Sequence, residues 1–432
     1  MYMRSDIPVG DIHELIPGGA HTYSRGDDQF PNNAPQYLIR GKGAQIWDSQ
    51  GRNFWDLSMG LRSVSIGHAE SSQLRFINKS ISKGVNLARP VFDEFKLAEK
   101  MTEIIPSAEM VKFGKNGSDV NTAAVRLARA ATGRKFILRC STNPFLSVND
   151  WFIGTTVMNS GIPDEISKLT LQFAYGDYAE VNRIFSELGD QIACIILEPY
   201  GALIPDVKFL EYLRITADRY QSVLIFDEVI SGFRFDLGGA QKLSGVTPDL
   251  STFGKGIANG FPLSALVGKK DIMNLGGIKH SDPRVFLLSS TYGSERSGLA
   301  AALWTISFLE KSDVIKANIE VAEEIYQIFN GASLAHNLDS RIQLLGPAIN
   351  PTLSIKDETG EQSGTSRARF LGVAIEHGLF LPYFSYSARH RSKFVKQFRS
   401  KIQAAFSDFA DVDSVFHSTN FGETKPVFRK YN

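Results

Sequence analysis

Cysteine is scarce in this chain, with two residues among 432, Cys140 and Cys194. Neither has another metal-ligating residue at the short spacing of a zinc site, and two thiols cannot form the framework of bridges that stabilises small secreted domains. Cys194 lies in an apolar run, Ile192–Leu197, where a thiol acts as a small buried hydrophobic group. We therefore predict neither a metal site nor a disulfide framework.

Long hydrophobic runs and an excess of either charge are also missing. No apolar run approaches the roughly 20 residues of a membrane span, and Met1–Pro8 carries charges and a proline where a signal peptide has an apolar core. The 47 basic and 46 acidic side chains leave a net charge of +1, which gives no general attraction to nucleic acid or an anionic membrane. We expect a cytoplasmic protein, with basic runs such as Arg389–Lys393 forming solvated surface.

The remaining composition is that of an ordinary globular protein, with 43% hydrophobic and 22% charged residues. A chain of this length exceeds one hydrophobic core, so we expect a large domain with smaller parts attached. Turn signals fill residues 1–75, helices and short apolar strands alternate over residues 76–310, and residues 311–432 resemble a small α+β domain. These ranges are the predicted N-terminal segment, large domain and C-terminal domain.

The centre of the chain contains a strand, a helix and a second strand in close succession. Ile192–Leu197 and Val223–Phe226 are continuous apolar runs, typical of strands buried on both faces. Phe209–Tyr220 lies between them and has helical periodicity. Such a βαβ unit implies an α/β fold with a parallel sheet. The other predicted elements are a hairpin over 44–57, helices over 119–131, 319–329 and 392–406, and a strand over 352–355.

Acidic residues follow both apolar strands, and a lysine enclosed by glycines comes next. Glu198 follows the first strand, Asp227 follows the second, and Lys255 stands between two glycines. Open α/β sheets bind ligands at the carboxyl ends of their strands. A buried carboxylate is costly unless it meets a cation, and a protonated pyridine nitrogen is a suitable one. A covalently attached lysine with an aspartate partner for that nitrogen indicates a pyridoxal 5'-phosphate (PLP) enzyme.

A phosphate site should then lie upstream of these residues. Asn116, Gly117 and Ser118 precede the predicted helix over 119–131. The free N–H groups and the dipole at a helix N-terminus favour an anion. Ser118 would equally suit a helix N-cap, and both interpretations stay open.

These segments resemble the class-III (subgroup II) aminotransferases of PLP fold type I, and in particular the glutamate-1-semialdehyde aminomutase branch. The resemblance covers nearly the whole chain, and the most specific part is the string Asp227–Arg234 with Lys255 following 28 positions after Asp227. It implies a large domain with a mostly parallel sheet and a small α+β domain built from both terminal segments. The other segments that carry it are 16–19, 116–119, 124–129, 197–199, 248–249, 254–256 and 290–293.

The resemblance implies roles for residues around the cofactor. Lys255 would form the Schiff base and move a proton between the substrate Cα and the C4' atom of PLP. Asp227 would pair with the ring nitrogen, Val229 would pack on one face of the ring, and Glu198 would line the site. Phe145 stands where many relatives have a tyrosine that stacks on the ring, although it could instead be a core aromatic residue. Leu146 replaces their histidine.

The resemblance also implies a shared phosphate site. Gly117 and Ser118 would bind the phosphate within one chain, while Thr291 would reach it from the partner subunit. The enzyme would then be a homodimer with shared active sites.

Two arginines are candidates for binding a substrate carboxylate. Arg25 occupies the position where the aminomutase branch has such an arginine, and a planar guanidinium suits bidentate capture of a carboxylate. As a lone loop residue it could equally be solvated. Arg62 is the next candidate.

The resemblance further indicates a sugar substrate. Segments 21–31, 60–63 and 115–118 resemble the surface-polysaccharide enzymes that make 8-amino-3,8-dideoxy-D-manno-octulosonate for lipopolysaccharide. The donor would be L-glutamate and the acceptor 3,8-dideoxy-8-oxo-D-manno-octulosonate, a keto sugar acid. Segment 381–389 is shorter than in aminomutases, which weakens that assignment. Glutamate-1-semialdehyde 2,1-aminomutase and a non-catalytic interaction protein of the same fold are the alternatives.

Overall fold

The computed structural model describes residues 9–411 and 413–431. Its strands are β1 (Leu38–Lys42), β2 (Gln45–Asp48), β3 (Asn53–Asp56), β4 (Met110–Gly114), β5 (Phe136–Cys140), β6 (Thr170–Phe173), β7 (Ile192–Leu197), β8 (Val223–Glu228), β9 (Leu250–Phe253), β10 (Ser264–Gly268), β11 (Ile342–Leu345), β12 (Thr352–Ile355) and β13 (Leu379–Phe380).

The helical segments range from single turns to a helix of 22 residues. They are α1 (Val9–Leu15), α2 (Met59–Arg62), α3 (Ser71–Ile81), α4 (Phe92–Ile104), α5 (Gly117–Thr132), α6 (Asp150–Ile153), α7 (Asp164–Ser167), α8 (Tyr178–Leu188), α9 (Val207–Tyr220), α10 (Ala240–Ser244), α11 (Lys270–Met273), α12 (Arg296–Glu310), α13 (Val314–Ala335), α14 (Gly364–Glu376), α15 (Ser392–Ala410) and α16 (Val415–Ser418).

The larger sheet has the strand order β4-β10-β9-β8-β7-β5-β6. The strands from β9 to β6 run parallel to their neighbours, while β10 is antiparallel to both β9 and β4. Every residue of β7 and β8 is buried, which explains their continuous apolar sequence. The predicted α/β fold with a mostly parallel sheet is confirmed.

The predicted βαβ unit is found with small shifts at its ends. Helix α9 begins at Val207, because the carboxylate of Asp206 caps it by accepting from the Phe209 N–H at 3.2 Å. Strand β8 continues past Phe226, since Asp227 pairs with Thr252 of β9 in the ladder. Asp227 therefore lies inside the strand. The prediction from the sequence, which placed Asp227 after the strand, is wrong. The hydrophobic pattern ends at Phe226 because Asp227 has a polar side chain, so the pattern predicts too short a strand.

The chain forms two compact units. One contains the described parts of residues 1–61, 66–70 and 316–432, and the other contains residues 62–65 and 71–315. The first unit thus combines N- and C-terminal segments, as the predicted fold requires, and it includes the hairpin β2–β3 expected over 44–57. The domain boundaries placed at residues 75 and 310 stay predictions. Across the described residues, no helix combines the length and the apolarity needed to cross a bilayer.

His390 corrects the interpretation of the basic run Arg389–Lys393 as solvated surface, because its side chain is 0% exposed. Its Nδ1 accepts from the Ser387 N–H at 3.0 Å, and its Nε2 lies 3.1 Å from the carbonyl oxygen of Asp56, to which it can donate. This arrangement fits a neutral imidazole, which has one acceptor and one donor. Burial lowers the pKa of His390 to about 4.

The burial of His390 predicts an acid-sensitive fold. Between pH 6.5, its ordinary pKa, and about 4, the unfolded chain binds a proton that the folded chain rejects, so stability falls as pH falls through this window. The full loss is about 3 kcal/mol. We expect His390→Gln to be less stable than wild type at neutral pH but to lose less on acidification. Unfolding midpoints measured across this range test it, with His21→Gln, at an exposed histidine, as the control. An equally steep acid loss in His390→Gln would contradict the prediction.

Candidate active site

Asp227 is a carboxylate held at the carboxyl end of a buried parallel strand. Its side chain is 4% exposed. Its Oδ1 accepts from the Val229 N–H at 2.9 Å, and its Oδ2 accepts from Asn121 Nδ2 at 2.7 Å. Burial raises the pKa of Asp227 to about 6, although these two hydrogen bonds and the charge of Lys255 oppose the rise. A cation placed against the free side of this carboxylate would keep it ionised.

Glu198 follows the neighbouring strand β7 and is 6% exposed. Its backbone N–H donates to Asn143 Oδ1 at 2.9 Å. Burial, followed by the negative charge of Asp227, raises the pKa of Glu198 to about 8, while Lys255 and Arg62 oppose the rise. Burial and mutual repulsion therefore favour the protonated form of Glu198, while the two hydrogen bonds to Asp227 favour its ionised form, which needs a cation.

Lys255 begins a short 3-10 turn directly after β9. Its backbone has φ +42°, a left-handed conformation that an L-residue rarely adopts and that costs energy. Its side chain is half-buried. Loss of hydration, followed by the positive charge of Arg62, lowers the pKa of Lys255 to about 8, while Glu198 and Asp227 oppose this shift. A substantial fraction of the amine is thus neutral near pH 8 and able to act as a nucleophile.

Arg62 ends the strained turn α2, in which four consecutive residues, Met59 to Arg62, have φ of 43°, 60°, 57° and 69°. Left-handed helical backbone costs roughly 1–2 kcal/mol for each L-residue. The carbonyl of Arg62 accepts from Arg234 Nη2 at 2.5 Å, and Arg234 is itself buried. Since the charge of Arg62 lowers the pKa of both Lys255 and Glu198, the structure brings this predicted residue into the same electrostatic cluster.

The residues predicted to bind an anion, Gly117 and Ser118, form the first turn of α5. The helix begins at Gly117, and its N-cap is Asn116, whose N–H donates to Asp119 Oδ2 at 3.1 Å. Ser118 is therefore not the N-cap, and this alternative is wrong. The N–H groups of Gly117 and Ser118 have no carbonyl four residues earlier within the helix. They remain available to an anion such as a phosphate.

Val229 lies between the N-terminus of α5 and Gly254, the residue before Lys255. A Cβ added at Gly117 would lie 3.0 Å from Val229 Cγ2, and one added at Gly254 would lie 3.2 Å from Val229 Cγ1. A methyl group at either position would crowd the valine unless the valine moved by a few tenths of an ångström. The first turn of α5, the end of β8 and the residue before Lys255 therefore converge on one small region.

Phe145 is 43% exposed, so it is not a core residue and that alternative is wrong. Its ring meets Phe152 edge-on, with centroids 5.7 Å apart. The loop that carries it is attached to α5, because the Leu146 carbonyl accepts from Asn121 at 2.6 Å and the Val148 N–H donates to Ser118 Oγ at 3.1 Å. The exposed ring is thus held by a fixed backbone.

Thr291 and Arg25 are both exposed, unlike Asp227 and Glu198. Thr291 is exposed, and its carbonyl accepts from Asn86 Nδ2 at 3.2 Å. Arg25 is also exposed and ends a 3-10 turn, Tyr23–Arg25, in the unit built from the terminal segments. The roles given to both residues stay predictions.

Sequence reasoning missed Asn121. The signal was present, since an asparagine interrupts the alanine-rich face of α5 one turn after Ser118, and a polar residue on a buried helix face requires partners. Arg234 ends the string Asp227–Arg234, but nothing in the sequence indicated its bond to the Arg62 carbonyl.

The cluster fits the chemical groups of PLP. Asp227 offers a buried carboxylate to a protonated ring nitrogen, the α5 N-terminus offers two N–H groups to a phosphate, and Lys255 offers an amine with a lowered pKa to an aldehyde. Glycines at 117 and 254 leave the approach open for a flat ring.

Comparison with known proteins agrees with this geometry. The model of the family Aminotransferase class-III matches residues 29–381. A glutamate-1-semialdehyde 2,1-aminomutase of Syntrophobacter fumaroxidans is 32% identical over 359 residues, which are 79% of this chain and 82% of that protein. A 3-aminobutyryl-CoA aminotransferase of Cloacimonas acidaminovorans is 33% identical over 385 residues, 86% of this chain and 89% of its own.

A solved structure shares the fold. An omega-transaminase from Sphaerobacter thermophilus superimposes with a TM-score of 0.84 and 24% identity, covering 93% of this chain and 97% of that one. The sequence family, which spans most of the chain, also identifies the cofactor as PLP. The chain belongs to the class-III aminotransferases and is a PLP-dependent transaminase.

Proposed function

We propose that this transaminase moves the amino group of L-glutamate to a keto sugar acid, 3,8-dideoxy-8-oxo-D-manno-octulosonate, in a pathway to surface polysaccharide. Both substrates carry a carboxylate away from the reacting carbon. The observation that carries the proposal is Arg62, a cation held by a strained backbone turn beside Lys255 and Glu198. The resemblance of segments 21–31, 60–63 and 115–118 to sugar transaminases supports the choice of acceptor. We also infer a cytoplasmic location.

Each residue of the cluster then has a defined task. PLP, when bound, withdraws electrons from the substrate carbon that bears the amino group. Lys255 attaches the cofactor and moves a proton to or from that carbon with Nζ. Asp227 holds the ring nitrogen, and Glu198, whose pKa is raised by burial and by Asp227, lines the site. Gly117 and Ser118 bind the phosphate, Val229 and Phe145 flank the ring, and Arg62 and Arg25 hold substrate carboxylates.

We infer a homodimer in which Thr291 completes the phosphate site of the partner subunit. Large apolar side chains flank Thr291 in the sequence and are unusually exposed, with Phe286 at 67% and Tyr292 at 63%. Exposed apolar surface of this kind is typical of a protein interface. Its position beside Thr291 supports a second copy of the chain as the occupant.

A second candidate is glutamate-1-semialdehyde 2,1-aminomutase, which is favoured by the 32% identical relative. An aminomutase isomerises one bound substrate and needs no separate amino donor. The non-catalytic alternative is not retained, because the chain belongs to a transaminase family.

The amino donor separates the two candidates. We expect the purified holoenzyme to release 2-oxoglutarate from L-glutamate as its visible absorption changes, and the keto sugar acid to restore the original spectrum. Lys255→Ala should do neither, because the covalent attachment and proton transfer need its amine. If the enzyme instead converts glutamate-1-semialdehyde to 5-aminolevulinate and releases no 2-oxoglutarate from glutamate, the aminomutase assignment replaces ours.

Substitutions of Arg25 and Arg62 test which arginine binds the substrate carboxylate. A bidentate pair with a carboxylate contributes roughly 1.5–3 kcal/mol, so Arg25→Ala should raise the KM for a carboxylate substrate by about tenfold to a hundredfold. Arg25→Lys should recover part of the loss, because a point charge lacks the planar fork. PLP affinity, measured by titration, should not change. If Arg25→Ala has wild-type kinetics while Arg62→Ala does not, Arg62 holds the carboxylate.

Mixed dimers test the role of Thr291. We expect Thr291→Val to weaken PLP binding, and pairing it with Lys255→Ala chains should restore activity at limiting PLP. If Thr291 acts across the interface, one hybrid site has both lesions and the other has none. If it acts within its own chain, every hybrid site keeps one lesion and activity stays low. A monomeric protein in sedimentation experiments would contradict the shared site directly.

A further inference from the structure

Asn121 is a buried amide whose every polar atom is engaged. It lies in α5 and is 1% exposed. Its Nδ2 donates to Asp227 Oδ2 at 2.7 Å and to the Leu146 carbonyl at 2.6 Å. Its Oδ1 accepts from Thr252 Oγ1 at 2.6 Å. A carboxylate and a carbonyl can only accept, so this network fixes which way the amide faces.

The three bonds connect elements that are far apart in sequence. Asp227 is the last residue but one of β8, Thr252 belongs to the neighbouring strand β9, and Leu146 follows Phe145 in the loop after β5. Asn121 thus bonds both to the carboxylate of Asp227 and to the loop that carries Phe145.

We propose that Asn121 is a positioning residue that fixes Asp227 and the Phe145 loop together, so that the PLP ring meets a correctly oriented carboxylate at its nitrogen and an aromatic ring on its face. This inference rests on the roles proposed above for Asp227 and Phe145. Asn121 itself touches neither substrate nor reacting atoms in this scheme. Thr252 acts one step further out by holding the amide.

The energetic reason lies in the burial of Asp227. Each carboxylate oxygen has one protein donor, Val229 N–H on Oδ1 and Asn121 on Oδ2, which leaves the remaining lone pairs for the ring nitrogen. Hydrogen bonds to a buried anion are stronger than those between neutral groups. Without Asn121 the carboxylate is free to rotate and binds a proton more readily, so it stabilises a protonated ring nitrogen less well.

The test uses holoenzyme reconstituted with PLP labelled with ¹⁵N in the ring. In Asn121→Leu we expect the ring-nitrogen signal to move from the protonated toward the neutral position, with kcat lower by about tenfold to a hundredfold and KM for glutamate unchanged. Thr252→Val removes only the hydroxyl that holds the amide, so it should give a smaller change in the same direction. It is also the informative variant if Asn121→Leu does not fold.

Thr122→Val is the matched control. Thr122 is the next residue of α5, but its hydroxyl bonds to Ser147 Oγ at 3.0 Å and to Trp151 Nε1 at 2.9 Å instead of to Asp227. It should keep the wild-type nitrogen signal. A wild-type signal and kcat in folded Asn121→Leu and Thr252→Val would overturn the proposal, and so would an equal shift in Thr122→Val.

Asp227→Asn separates this inference from the function on which it rests. If Asp227→Asn leaves the ring-nitrogen signal unchanged, the proposed role of Asp227 fails. If Asp227→Asn shifts the signal and both Asn121→Leu and Thr252→Val leave it in place, only the role of Asn121 fails.

Discussion

The buried carboxylate of Asp227 is the constraint on which the site depends. At the carboxyl end of a strand covered on both faces, an anion loses its hydration and must be compensated by donors and a cation. The protein supplies two donors, Val229 N–H and Asn121, and the amine of Lys255 lies close enough to lower the pKa of the acid. In the proposed site, the ring nitrogen of PLP would complete this compensation, which would couple PLP binding to the arrangement of the strand ends.

Strained backbone accompanies the charged groups. Lys255 and the four residues of α2 all have positive φ, and such conformations persist only where the surroundings hold them. The bond from Arg234 to the Arg62 carbonyl is one of these supports. Because Arg62 and Lys255 are both cations, their proximity also keeps part of the lysine uncharged. Burial and the charge of Arg62 thus favour a reactive, neutral amine at near-neutral pH.

The site residues are distributed over strand ends and one helix N-terminus rather than over flexible loops. Glu198, Asp227 and Lys255 lie at or just after the ends of β7, β8 and β9, which are neighbours in the sheet. Helix α5 packs on these strands and begins with Gly117 and Ser118. This arrangement explains how one fold can serve relatives with different substrates. The groups proposed to bind PLP lie on the sheet and on α5, whereas the candidate substrate residues Arg25 and Arg62 lie on turns.

The sequence by itself determined the βαβ unit, the strand-end acids, the enclosed lysine and the PLP chemistry, because continuous apolar runs, helical periodicity and motif spacing are local signals. It did not determine the end of β8, the N-cap of α5 or the burial of His390, since polar residues at those positions read as loop or surface until their partners are known. Tertiary structure alone decided the bonds of Asn121 and Arg234, whose partners lie 106 and 172 residues away. Hydrogen bonds across such separations leave no periodic pattern in the chain, so only the packed sheet and helices bring those groups together.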